Sequence, residues 1–232
     1  MRCAVMSMIT IAAGTSVAGA APIFTSIGKP GDALQFENDT RVEARYIVHT
    51  SNWDMRLEND GSPSPGDNTR NVSNSRAFFE NQSFDFELSY AQLSNELSFT
   101  VSKGGTDYAL DYTPAGFGNA NVLQLATSGS RGPVSLSDVE FVGLGETVDM
   151  FPNIDTQPGG PTFAETFLYF GDDFDLLAGD WSLSGTLSFG SFTHSNPKEG
   201  TKLTLKVREA IPAPAGATLA CVAACVLLRR RR

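Results

Sequence analysis

Asp85 and Glu87 stand two residues apart in Ser83-Phe-Asp-Phe-Glu-Leu-Ser-Tyr90, so on a β-strand both carboxylates leave the same face. General acid–base hydrolysis of a glycosidic bond needs two carboxyl groups held a few ångströms apart. The wet face of any antiparallel strand carries such pairs as well. Nothing else in the sequence completes a hydrolase's acidic pattern, so no catalytic residue is assigned. A second acidic group, Asp172, Asp173, Asp175 and Asp180, crowds the connection Gly171-Asp-Asp-Phe-Asp-Leu-Leu-Ala-Gly-Asp180. Hard oxygen ligands on a short loop suit Ca²⁺. The stretch lacks a Gly-Asp repeat register, however, and a solvated acidic loop between strands is the reading it favours. No metal ligand is assigned and no cofactor is expected, Ca²⁺ being the one ion this loop would suit.

Other chemistry is thinner. His49 and His194 are the two histidines and lie far apart, and no Cys/His set has metal-ligand spacing. There is no G-x-S-x-G, H-E-x-x-H or Walker loop, and Gly116-Phe-Gly118 and Gly143-Leu-Gly145 lack the third glycine and following helix of a dinucleotide site. Trp53, Phe117 and Trp181 are aromatic residues near loops that would stack on sugar rings. Trp53 and Trp181, though, share the apolar phase of their own segments and read more plainly as core.

The elements that would position these groups are strands. Trp53, Met55 and Leu57 alternate with Asp54, Arg56 and Glu58, a half-buried strand, and a preceding strand is expected over 41–49. Phe84, Phe86, Leu88 and Tyr90 alternate with polar residues, and Leu97, Phe99 and Val101 do so again. Gly104-Gly105 then supplies the positive φ angles of a tight hairpin into Tyr108, Leu110 and Tyr112, giving a three-strand meander. Short strands are expected over 122–126, 134–142, 163–170, 181–192 and 201–207, about ten in all with no convincing helix. Residues 59–75 and 149–161 are rich in turn formers and predict long exposed loops. Strands every 8 to 15 residues with one polar face argue an all-β fold, an antiparallel β-sandwich of jelly-roll type.

All three cysteines, Cys3, Cys221 and Cys225, fall near the chain ends, so residues 21–210 must be stable by packing alone. Of the 17 Lys and Arg, Arg2 and Arg229–Arg232 lie outside that body, leaving 12 against 26 acids, a formal −14. Such a surface repels nucleic acid, which is excluded as a partner.

The ends read as addresses. Residues 1–20 carry one cation, an apolar stretch and the small-x-small pattern Ala18-Gly19-Ala20 of a signal peptide, with cleavage before Ala21. Residues 211–232 combine Pro212-Ala213-Pro214, an uncharged run, and Arg229, Arg230, Arg231 and Arg232. The fourteen uncharged residues between Pro214 and Arg229 span roughly 21 Å as a helix. A short transmembrane helix is expected there, with its arginines on the cytoplasmic side. This order of parts resembles the PEP-CTERM sorting signal, with Pro-Ala-Pro in place of Pro-Glu-Pro. The resemblance implies, as partners, signal peptidase and an exosortase-like enzyme. It also implies a membrane-anchored intermediate, removal of the tail, and delivery to the cell surface or extracellular matrix.

A second resemblance covers most of the body. Phe84-Asp-Phe-Glu-Leu-Ser-Tyr90, Leu97-Ser-Phe-Thr-Val101, Val134-Ser-Leu-Ser-Asp-Val-Glu-Phe141, Trp181-Ser-Leu-Ser-Gly-Thr-Leu-Ser-Phe189 and Lys202-Leu-Thr-Leu-Lys-Val207 are together similar to the choice-of-anchor W domain. That family implies surface anchoring and no particular activity. Three regions are thus expected: a signal peptide at 1–20, a β-sandwich at 21–210 and a sorting tail at 211–232. The function expected of them is that of a non-enzymatic surface or exopolysaccharide-matrix protein. The alternative is a lectin-like module binding exopolysaccharide, with Ca²⁺ at the acidic loop.

Overall fold

The computed structural model describes residues 23–25, 35–36, 42–48, 52–58, 68–73, 78–114, 120–150, 154–170, 175–193 and 200–211. Sixteen strands run through them. They are β1 (Ile23–Thr25), β2 (Gln35–Phe36), β3 (Val42–Val48), β4 (Asn52–Glu58), β5 (Asn68–Ser73), β6 (Gln82–Ala91), β7 (Glu96–Lys103) and β8 (Thr106–Tyr112), followed by β9 (Val122–Ser128), β10 (Val134–Gly143), β11 (Glu146–Met150), β12 (Ile154–Thr156), β13 (Phe163–Tyr169), β14 (Trp181–Phe189), β15 (Lys202–Arg208) and β16 (Ala210–Ile211). A 3-10 turn at Leu176–Ala178 interrupts them.

Every strand pairing is antiparallel. One sheet has the order β1-β13-β9-β15-β3-β4-β5. The second runs β11-β10-β14-β6-β7-β8, with β12 also on β10, and β16 pairs with β2 apart from both. Alternation sends one face of each large sheet into a common core. Trp53, Met55 and Leu57 of β4 and Leu203, Leu205 and Val207 of β15 enter it from the first sheet. Phe84, Phe86 and Leu88 of β6 and Leu97, Phe99 and Val101 of β7 enter from the second. Each such fully buried side chain contributes roughly 1.5–3 kcal/mol of transfer free energy. Trp53 meets Tyr108 of β8 edge to face at 4.8 Å, a contact that ties the two sheets together. The architecture is therefore an antiparallel β-sandwich.

The Gly104-Gly105 hairpin forms as its sequence demands, with φ of +58° and +79°, and Lys103 pairs with Thr106 across it. Two expected loops are partly strand. Within 59–75, Asn68–Ser73 forms β5, whose composition is almost wholly polar; it is an edge strand that takes its hydrogen bonds from β4. Within 149–161, β11 continues to Met150 and Ile154–Thr156 forms β12. Three residues are too few to show a period, and β12 exists because Ile154 and Thr156 are buried where it pairs with β10. Pairing supplied from elsewhere in the chain overrides weak local propensity at both places.

Candidate functional site

The outer face of the second sheet is built by register. Asp85 of β6 pairs with Thr186 of β14 on one side and Ser102 of β7 on the other; Ser102 pairs in turn with Asp107 of β8 and Thr186 with Ser137 of β10. That sets Ser137, Thr186, Asp85, Ser102 and Asp107 in one row across five strands. The next outward row holds Glu140, Ser184, Glu87, Thr100 and Ala109. With strands about 4.8 Å apart, each row extends roughly 19 Å. An open groove of about 470 Å³ lies over these rows, its polar walls made by Asp85, Glu87, Asp107 and Asp138 and by the hydroxyls of Thr100, Ser102, Ser184 and Thr186.

A β-bulge shapes one side of the groove. Between Ser137 and Glu140 the pairing of β10 with β14 slips, so that Asp138 and Val139 together face Gly185. Asp138 takes φ of +53°, a left-handed conformation that aspartate tolerates, and is exposed at the groove. Val139 turns inward. Gly185 is opposite Phe86 in register, and a Cβ there would lie 3.0 Å from the Phe86 ring and 3.0 Å from Val139 Cγ2. The missing side chain gives the bulge and the aromatic ring room to share one place in the core.

Three of the four groove carboxylates accept hydrogen bonds from neighbouring hydroxyls. Thr186 Oγ1 donates to Asp85 Oδ1 at 3.3 Å, Ser102 Oγ to Asp107 Oδ1 at 2.7 Å and Ser137 Oγ to Asp138 Oδ2 at 3.0 Å. The arrangement presents acceptors in rows, suited to a ligand rich in O–H or N–H donors. Asp85 and Glu87 do share a face, as their spacing requires, and both are exposed. Asp107 and Asp138 join them without having been singled out from sequence. Asp107 was within reach, because carrying the alternation of β7 through the Gly-Gly hairpin puts it beside Ser102. Asp138 was not, since no local pattern announces the bulge.

In the described part of the acidic connection, Asp175 and Asp180 serve the fold. Asp175 Oδ1 accepts from Leu177 N at 2.9 Å, capping the 3-10 turn, and from Ala120 N at 3.4 Å. Asp180 Oδ1 accepts from Gln92 N at 2.8 Å, fastening the β6–β7 hairpin. Asp172 and Asp173 lie outside the described residues. Among the described residues no three His, Cys, Asp or Glu side chains are grouped to hold a metal ion. Trp181 Nε1 donates to Leu176 O at 2.8 Å over the same turn, and Tyr90 OH donates to Asn95 Oδ1 at 3.1 Å. Burial first, then the negative charges of Asp175 and Asp180, push the Tyr90 phenol above its ordinary value. Trp53 and Trp181 are buried, so neither offers a stacking surface. Phe117, His49 and His194 lie outside the described residues.

The address residues also lie outside them: Ala18 and Ala20 at the signal cleavage site, and Pro212, Ala213, Pro214 and Arg229–Arg232 in the tail. Among the described residues no helix is long and apolar enough to cross a membrane. Comparison of the chain with protein-family models and with curated proteins gives no match.

Proposed function

We propose that the protein is an exported, non-enzymatic component of the cell surface or of an exopolysaccharide matrix. In this reading a signal peptide at 1–20 delivers a jelly-roll-like body at 21–210, which is related to the choice-of-anchor W domain. The tail at 211–232 is held in the membrane and processed by an exosortase-like enzyme. The observation that carries the reading is the tail itself, Pro212-Ala213-Pro214, then an uncharged run, then Arg229–Arg232. The body supports it, being β-structured, free of cysteine and acidic. Its two tryptophans and the Asp175 and Asp180 carboxylates serve the fold. Intact-mass measurement on surface-extracted protein is the test. The mature chain should begin at Ala21 and lack the arginines, and replacing Arg229–Arg232 by neutral residues should impair retention. Arg232 still present on mature surface protein would overturn the processing claim.

The groove favours a second reading, a lectin-like surface for neutral polysaccharide. Rows of carboxylates and hydroxyls accept from sugar hydroxyls, and the acids oppose anionic polymers. In affinity electrophoresis the processed protein should be retarded by neutral polysaccharide and not by anionic polysaccharide. Chelator should make no difference, and Asp85→Ala with Glu87→Ala should restore free mobility. Mobility unaltered in every gel would leave the face a solvated surface. Retardation abolished by chelator would instead point back to Ca²⁺ at Asp172, Asp173, Asp175 and Asp180.

A further inference from the structure

We draw no further inference here: the strongest candidate outside the groove, the side-chain cluster of Gln124, Glu165 and Arg208 on the outer face of the first sheet, carries nothing because no described element shows what covers it.

Discussion

The outer face of the second sheet at β6 and that of the first sheet around Val122 and Phe167 have opposite characters. On the second sheet, β6 alternates strictly: Phe84, Phe86, Leu88 and Tyr90 are buried while Ser83, Asp85 and Glu87 are exposed. In the interior of the first sheet, six of the seven residues of β9 are buried, so both faces of that strand are covered. Val122 and Phe167 pack together on the side away from the main core. Beside them Gln124 Nε2 donates to Glu165 Oε2 at 2.7 Å, and Arg208 Nη1 donates to Gln124 Oε1 at 3.1 Å. The acids of the one face are exposed, whereas on the other Gln124, Glu165 and Arg208 are joined to one another by hydrogen bonds. Burial without such partners would cost several kcal/mol. Among the described residues, the acids of β6 are open to a ligand and the Gln124–Glu165 pair is not.

The sharpest way to break this contrast is to truncate one side chain on each outer face. Phe167→Ala should cost about 3–5 kcal/mol in denaturant unfolding, as much as a residue between the sheets, because Phe167 is 1 % exposed. Thr100→Ala, on the outer face of the second sheet, should leave the unfolding midpoint where it was. Equal, small effects from both would mean that the outer face of the first sheet is not covered in solution.

The same contrast explains what the sequence made legible. Period-two alternation is written wherever apolar residues facing the core alternate with polar ones facing away from it, so β4, β6, β7 and β8 and the Gly104-Gly105 hairpin could be read from residues alone, and so could the shared face of Asp85 and Glu87. A strand covered on both sides has no such period. Val122-Leu-Gln-Leu-Ala-Thr-Ser128 therefore announces a strand without announcing that both its faces are buried. β5 and β12 were hidden for a different reason: their residues look like loop, and they are strands because β4 and β10 supply them with pairing partners. The groove fell between these cases. Two of its carboxylates follow from spacing and a third from spacing plus a turn, while Asp138 depends on a bulge whose setting, Phe86 and Val139 packed close around Gly185, exists only in the folded molecule.

That crowding gives a smaller test, confined to the wet sheet. Gly185→Ala adds one methyl group facing inward, 3.0 Å from the Phe86 ring and Val139 Cγ2, and both neighbours are buried and have little room to move. Overpacking of this kind costs about 1–3 kcal/mol. Gly185→Ala should lower stability by that amount, and Val139→Ala combined with it should recover part of the loss by vacating the contested space. A stable Gly185→Ala protein would show that the bulge yields easily and that the position of Asp138 is not fixed by the core beneath it.

The smallest effect separates the end of the second sheet at Tyr90 from its outer face, and pH reads it. Tyr90 is held above its ordinary value of 10.0 by burial and by the charges of Asp175 and Asp180, so the folded state keeps its proton more tightly than the unfolded chain does. The resulting stability is present in full below the unfolded value and is lost as pH rises through the folded one. Lys103 acts in the opposite sense. Its Nζ donates to Phe78 O and sits 4.2 Å from the Phe78 ring centroid, and burial lowers its pKa below 10.5, so its contribution grows as pH rises through the folded value toward the unfolded one. Wild-type stability should therefore fall above about pH 10 by less than Tyr90 alone would dictate. Tyr90→Phe should flatten that fall, at the expense of the hydrogen bond to Asn95, and Lys103→Met should steepen it. Parallel pH profiles for the wild type and Tyr90→Phe between pH 8 and 11, measured by thermal unfolding, would show that the phenol ionises as freely in the fold as in the unfolded chain.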